Sequence, residues 1–260
     1  VPLTSGSTRV KEARKLSRRS ERSERRLFLA DGPKAVEGAL ASPGCVVEVF
    51  ATPDATQRYG DLAAQAPAWV LVDDRALASL SDSVTPAGVV AVCRFLDRPL
   101  TDLLSAGPRL IAVCVDVRDP GNAGTVIRCA DAAGADLVVL AGSSVDAYNP
   151  KTVRASVGSL FHLPLAVEPE AATAVATLHA AGLTVLATAG DGDVSLYDAP
   201  VNAPTAWLFG NEAHGLSGEL LALADHRVSI PIHGGAESLN LSTAAALCLY
   251  ESARRRTLPL

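Results

Sequence analysis

The chain has 260 residues and a mass of 26.8 kDa, enough for two modest domains or one large one. Its 48% hydrophobic and 20% charged content excludes intrinsic disorder, collagen-like repetition and a disulfide-stapled scaffold. Aromatic residues at 4% argue against a nucleic-acid reader built on rows of stacking rings, and a net charge of −5 argues against a general nucleic-acid binder.

That charge is unevenly spread. Residues 1–26 hold nine basic side chains (Arg9, Lys11, Arg14, Lys15, Arg18, Arg19, Arg22, Arg25 and Arg26) against Glu12, Glu21 and Glu24, which is +6 at the head and −11 for the remainder. Spaced at three and four residues, they can line a helix. Two readings stand open: a basic arm that takes RNA phosphates, or a solvated terminus held by Glu–Arg pairs. No charged-then-apolar leader is visible, and the five cysteines are scattered without C-x-x-C spacing. The expectation is a cytoplasmic protein with free or buried thiols and no zinc site.

Residues 27–96 alternate short apolar runs with helical stretches. Strands are expected at 27–30, 46–50, 70–72 and 89–95, and a helix at 33–40, so this segment reads as a small α/β domain. The prolines, glycine and polar residues of 97–108 read as a linker. From residue 109 the pattern becomes strand, helix, strand. The run 110–117 is almost wholly apolar, as a parallel strand buried on both faces requires. A helix is expected over 122–133, capped by Asn122 and closed by Gly134, followed by a strand at 136–140. The uncharged stretch 171–190 is long enough to suggest a membrane span. His179 and Gly182 divide it into an alanine-rich helix and a strand at 183–188, so no span is expected. Strands at 206–210 and 227–232 and a helix over 240–256 complete a parallel α/β domain at 109–260.

Walker, dinucleotide-fingerprint, nucleophile-elbow and zinc-protease motifs are all absent from the sequence. What remains are three loops expected at the C-terminal ends of apolar strands, where open α/β sheets bind ligands. They are DVRDPGNAGTVIRCADAAGA (116–135), LFGNEAHGLSGEL (208–220) and IPIHGGAESLNLSTAAAL (230–247). Each offers glycine beside polar groups: Asn122 and Arg128, then Gly210 and Glu212, then Ser238 and Asn240. Taken singly, capping or solvation explains each; three together read as one site.

In order and spacing these loops resemble the signature motifs of the SpoU/TrmH-type RNA ribose 2′-O-methyltransferases of the SPOUT superfamily. The stretch FLADGPKAVEGAL (28–40) is similar to the small substrate-binding domain of bacterial ribosomal-RNA methylases, including the thiostrepton-resistance type. The resemblance implies a SPOUT-like parallel sheet with a C-terminal trefoil knot, preceded by an RNA-binding α/β domain. It further implies a homodimer that methylates ribosomal RNA, 23S rRNA above all, from S-adenosylmethionine and without a metal. Methylation of tRNA, and a non-catalytic RNA-binding protein of the same fold, are the alternatives. Asn122, Arg128, Glu212, Ser238 and Asn240 fall on the family's polar active-site positions. Thr188, Gly210, Ile230, Leu239 and Asn240 fall where it holds the methyl donor. RNA contacts are expected from Arg9, Lys11, Arg14, Lys15, Arg18, Arg19 and Arg22.

None of the five polar active-site positions is a His or Lys that could act as base. A guanidinium gives up its proton only with great difficulty. Arg128 is therefore expected to bind a phosphate and stabilise the developing alkoxide, while the proton leaves to water or phosphate. Glu212 would orient Arg128 or Asn122, and Ser238 and Asn240 would shape the ribose pocket.

Overall fold

The computed structural model describes residues 1–257; the last three positions of the domain expected at 109–260 lie outside the described residues. The chain begins with α1 (Thr8–Lys15), α2 (Arg19–Arg25), β1 (Leu27–Asp31), α3 (Pro33–Ala41) and β2 (Val46–Ala51). Next come α4 (Pro53–Arg58), α5 (Gly60–Gln65), β3 (Trp69–Leu71), α6 (Asp74–Ala78) and β4 (Val89–Arg94). Then follow α7 (Leu100–Leu104), β5 (Leu110–Val115), α8 (Pro120–Ala132), β6 (Leu137–Ala141) and α9 (Pro150–Ala155). The remainder is β7 (Leu165–Glu168), α10 (Ala171–Ala180), β8 (Thr184–Thr188), β9 (Val194–Ser195), β10 (Thr205–Phe209), α11 (Gly218–Leu223), β11 (His226–Ser229) and α12 (Leu241–Thr257). Every expected strand and helix is present, with ends shifted by a few residues. No described helix is long and apolar enough to cross a membrane.

Two compact units form, and they divide the chain differently from the expected boundaries. Unit one comprises Val1–Leu96 together with Asp146–His162; unit two comprises Asp97–Val145 and Leu163–Leu260. The first unit carries fifteen basic and twelve acidic side chains, the second eight and sixteen.

Unit one is built on a sheet of order β1-β4-β2-β3, with β4 antiparallel to both neighbours and β3 parallel to β2. The basic head is not an arm. Val10, Ala13 and Leu16 of the α1 segment are buried in one core with Leu29, Phe50, Val72, Val90 and Val92. The cations project from the outer side of a helix whose apolar stripe is core. Arg22 is the exception among them and is buried. Its Nε and Nη2 donate to Asp146 Oδ2 at 2.9 and 2.7 Å, and its Nη1 donates to the carbonyls of Leu16 and Ser17. Arg22 therefore cannot contact RNA, which corrects that expectation.

Aromatic packing holds the distant segment in unit one. Tyr148 lies 3.9 Å from Phe95 and 4.7 Å from Phe28, ring centre to ring centre, and Phe161 stacks 6.0 Å from Phe28. The Tyr148 hydroxyl accepts from the Leu96 amide at 2.7 Å.

Unit two is a seven-stranded parallel sheet of order β7-β6-β5-β10-β8-β11-β9. On one face α7, α10 and α11 cover Ile111, Val113, Val139, Val185 and Leu208. The expected linker 97–108 is thus part of this unit, because Leu100, Leu103 and Leu104 are core residues. On the other face α8 and α12 pack on β5 and β10, and Trp207 Nε1 donates to Ser252 Oγ at 2.9 Å. Strand β11 lies between β8 and β9, which are consecutive in the chain. The loop joining them crosses β11 so closely that a Cβ on Gly192 would sit 2.7 Å from the Ser229 amide nitrogen. Glycine is required there by space.

Substituting Arg22 tests the first unit. Arg22→Ala leaves the Asp146 carboxylate without its cation and should cost about 3–5 kcal/mol, read as a lower urea midpoint. Arg22→Lys should recover only part, since an ammonium cannot reproduce the four-bond fork.

Candidate active site

The C-terminal ends of β5, β8, β10 and β11 converge where the strand order reverses, the usual ligand position in an open α/β sheet. The turn after β5 leads into α8 through Asp119, whose side chain accepts from the Asn122 amide at 2.7 Å. Asp119 is therefore the cap and Pro120 the first helical residue, not Asn122 as expected. The Asp–Pro pair carries that signal in the sequence. Freed from capping, the Asn122 side chain points its amide at Glu212.

Glu212 follows β10 and gathers the cluster. Its Oε2 accepts from the Arg118 amide at 3.1 Å, and its Oε1 accepts from the Asp119 amide at 3.0 Å and from Asn122 Nδ2 at 3.3 Å. Asn240 Nδ2 donates to Asn122 Oδ1 at 3.1 Å, while Asn240 Oδ1 accepts from the Ser242 amide and hydroxyl at the start of α12. Asn240 thus both caps a helix and joins the cluster. Burial pushes the Glu212 carboxyl up, but hydrogen bonds from the Arg118, Glu212 and Asp119 amides and from Asn122 outweigh it and leave it below its ordinary value. Beneath the cluster, burial and the Glu212 charge push the Cys114 thiol up to about 12, so it is an inert apolar floor.

Beside this cluster opens a cleft of about 500 Å³, within the range of small-molecule sites. Thr188, Gly210, Ile230, Ser238 and Leu239 all line it, and Asn240 adjoins it through the cluster. The Thr188 hydroxyl donates to the Leu208 carbonyl at 2.9 Å. A Cβ on Gly210 would collide with the backbone of Gly215 and Leu216, so only glycine lets that loop close over the strand end. The loop is tied by Asn211, whose Nδ2 donates to the Asp116 carbonyl at 2.8 Å and whose Oδ1 accepts from the Ala213 amide at 2.9 Å. Asn211 and Glu237, which line the cleft, and Asp119, the cap of α8, escaped the sequence reading. The lining has two carboxylates, Glu212 and Glu237, and no Lys, Arg or His. Such walls suit a ligand carrying positive charge and leave the phosphates of a nucleotide cofactor unpaired.

Arg128 is not brought into the cluster. It stands six residues beyond Asn122, about 9 Å along α8 and roughly 240° around it. Its side chain is exposed with no partner among the described residues. Glu212 consequently orients Asn122, not Arg128. Among the expected RNA contacts, Lys11, Arg14, Arg18 and Arg19 are exposed without described partners, Arg9 pairs with Glu48 and Lys15 with Glu12.

Comparison with known proteins matches the SpoU rRNA Methylase family over residues 109–250 and an MRM3-like substrate binding domain over residues 7–91. A Bacillus subtilis relative, 23S rRNA (guanosine(2553)-2′-O)-methyltransferase RlmP, is 37% identical over 93% of this chain and 94% of its own. An AdoMet-bound rRNA methyltransferase from Sinorhizobium meliloti is 33% identical, covers 100% of this chain and 99% of its own, and superposes with a TM-score of 0.87. The SpoU methyltransferase AviRb from Streptomyces viridochromogenes, solved in complex with AdoMet, is 32% identical over 96% of this chain and 98% of its own, with a TM-score of 0.85.

The Glu212 carboxylate gives the cluster a pH signature. Its folded-state value lies below the ordinary 4.5, so its contribution to stability is present above that value and lost as pH falls through the lower one. Glu212→Gln should lower the urea midpoint at neutral pH, and the gap to the unaltered protein should close below pH 4.5.

Proposed function

Because this chain belongs to the SpoU rRNA methylase family, we propose that it transfers a methyl group from S-adenosylmethionine to a ribose 2′-hydroxyl of ribosomal RNA, most specifically 23S rRNA, in the cytoplasm. The observation that carries the reading is a cation-free cleft at the ends of β8, β10 and β11, with the Asn122–Glu212–Asn240 cluster at its lip.

The residues fit the methyl donor. Gly210 permits close backbone approach, Ile230 and Leu239 supply apolar wall, and Glu212 and Glu237 suit the sulfonium charge. When bound, the donor supplies a methyl group already activated for displacement. The protein's task is then alignment of the ribose oxygen with that methyl, which by itself can remove several kcal/mol of barrier. In this proposal the Asn122 and Asn240 amides hold the ribose hydroxyl, and Ser238 bounds its pocket. Glu212 keeps both amides in register from behind. The hydroxyl proton leaves to water or phosphate as the new carbon–oxygen bond forms and the methyl carbon–sulfur bond breaks, its electron pair staying on sulfur as a neutral thioether. Arg128, exposed on α8 and out of reach of the oxygen held by its own chain's Asn122, stabilises the negative charge on the oxygen and its neighbouring phosphate across the subunit boundary of the proposed homodimer. Lys11, Arg14, Arg18 and Arg19 supply sequence-independent attraction for the RNA backbone.

The C-terminal segment completes a trefoil knot in this reading, supported by the seating of β11 between β8 and β9 under their connecting loop. The working unit is a homodimer. Leu247 and Tyr250, three residues apart on α12, are exposed, while Ala245 and Leu249 turn inward and are buried. The exposed pair, not the buried one, is the apolar face available to a second copy.

Incubation with labelled S-adenosylmethionine and separated rRNA and tRNA tests the function: label should enter 23S rRNA as an alkali-resistant ribose-methylated nucleotide. Arg128→Ala should lower the transfer rate by a factor on the order of a hundred, with methyl-donor affinity intact by calorimetry. Full activity of that variant would remove Arg128 from the mechanism. For assembly, light scattering at micromolar concentration should give a dimer, and Leu247→Asp with Tyr250→Asp should give a monomer.

A further inference from the structure

The cleft presents carboxylates where its proposed acceptor presents phosphates. Glu212 and Glu237 line it, no cation does, and unit two as a whole has twice as many acidic as basic side chains. A ribose in an RNA strand is flanked by phosphates on both sides, so a strand entering here meets like charge unless a cation at the rim receives it.

Four of the eight basic side chains of unit two are engaged elsewhere. Arg109 donates to the Asn202 carbonyl, Arg227 to Asp193, and Arg254 and Arg255 to Glu251. Arg98, Arg128 and Arg256 are exposed as Arg118 is, and Arg118 differs from them in its place beside the cluster. Its backbone is locked to the cluster, since its amide donates to Glu212 Oε2 at 3.1 Å and the next amide donates to Oε1 at 3.0 Å. Its side chain is exposed and has no partner among the described residues. A guanidinium is therefore anchored at its root one residue from the cap of α8, beside Asn122, and free at its tip.

We infer that Arg118 receives the RNA phosphate flanking the acceptor ribose and so positions the 2′-hydroxyl at Asn122 and Asn240. This inference rests on the RNA-methylation reading above. A planar fork of donors suits a phosphate, and its charge offsets the two carboxylates only when the strand is present. The role is positioning: Arg118 acts on the substrate's backbone, not on the reacting oxygen.

The geometry makes the test clean. The bond to Glu212 comes from the amide, so any replacement except proline keeps it and removes only the guanidinium. Full-length protein and its Arg118→Ala, Arg118→Lys and Arg118→Glu variants would be compared on a 23S rRNA transcript. Arg118→Ala should raise KM for RNA about tenfold, leave kcat within about twofold and leave S-adenosylmethionine affinity unchanged. Its slope of log affinity against log salt should fall in magnitude by about 0.7–0.9, one phosphate contact. Arg118→Lys should recover much of the loss, and Arg118→Glu should bind worse than Arg118→Ala. An unchanged KM and salt slope, equal behaviour of the Ala and Glu variants, or a loss confined to methyl-donor binding would overturn the inference. If the unaltered protein transfers no methyl group, the functional reading fails on its own, and equilibrium binding of the transcript still decides Arg118 by the same slope.

Discussion

One carboxylate ties the working end of the second unit together. Glu212 accepts from two backbone amides of the β5–α8 turn and from the side chain of Asn122, and Asn122 in turn accepts from Asn240 at the start of α12. Three segments separated by about ninety and thirty residues in the chain are fixed by that chain of bonds. Two of its donors are main-chain groups whose position does not depend on side-chain rotamers, so the carboxylate is held rigidly and kept ionised. A preorganised, ionised acceptor fixes the Asn122 amide in one orientation, and Asn122 in turn fixes that of Asn240.

Close approach of the backbone is the second constraint. Gly210 and Gly192 stand where a single methyl group would strike main-chain atoms, the first under the loop that delivers Glu212 and the second within the loop that crosses β11. Neither needs an unusual backbone angle. Both are glycine because two chain segments meet with no room between them, and those meetings let the strand ends converge on a cleft. The Cys114 thiol below and the Trp207–Ser252 bond on the α12 face show how the rest of the sheet is filled: neutral, apolar or fully paired.

The first unit follows a different logic. Its core takes α1 from the very start of the chain and a segment from 146–162, and it joins them through Arg22 and Asp146. A charge so deeply buried is tolerable only because four hydrogen bonds satisfy its guanidinium. The head that looks basic in sequence therefore has one cation, on α2, that builds the fold and several on α1 and α2 that stay in water. The difference lies in which face of the turn each occupies.

Periodicity and turn chemistry were enough to place the strands and main helices, because a parallel strand buried on both faces leaves an unbroken apolar run and a helix ends at glycine. Asn122, Glu212 and Asn240 were legible as partners because each follows a strand end in a glycine-bearing loop. Ownership of segments was not legible: residues 97–108 look like a linker by composition, yet three leucines spaced along them bury in unit two. The excursion 146–162 carries no sequence mark either, since aromatic rings at Phe28, Phe95, Tyr148 and Phe161 meet only across long separations. Local sequence determines what each segment can become, through backbone preference and the spacing of apolar residues. Which side chains face one another across ninety or more positions, as with Arg22 and Asp146 or Asn122 and Glu212, is decided only when the packed tertiary structure fixes the distance and removes competing water.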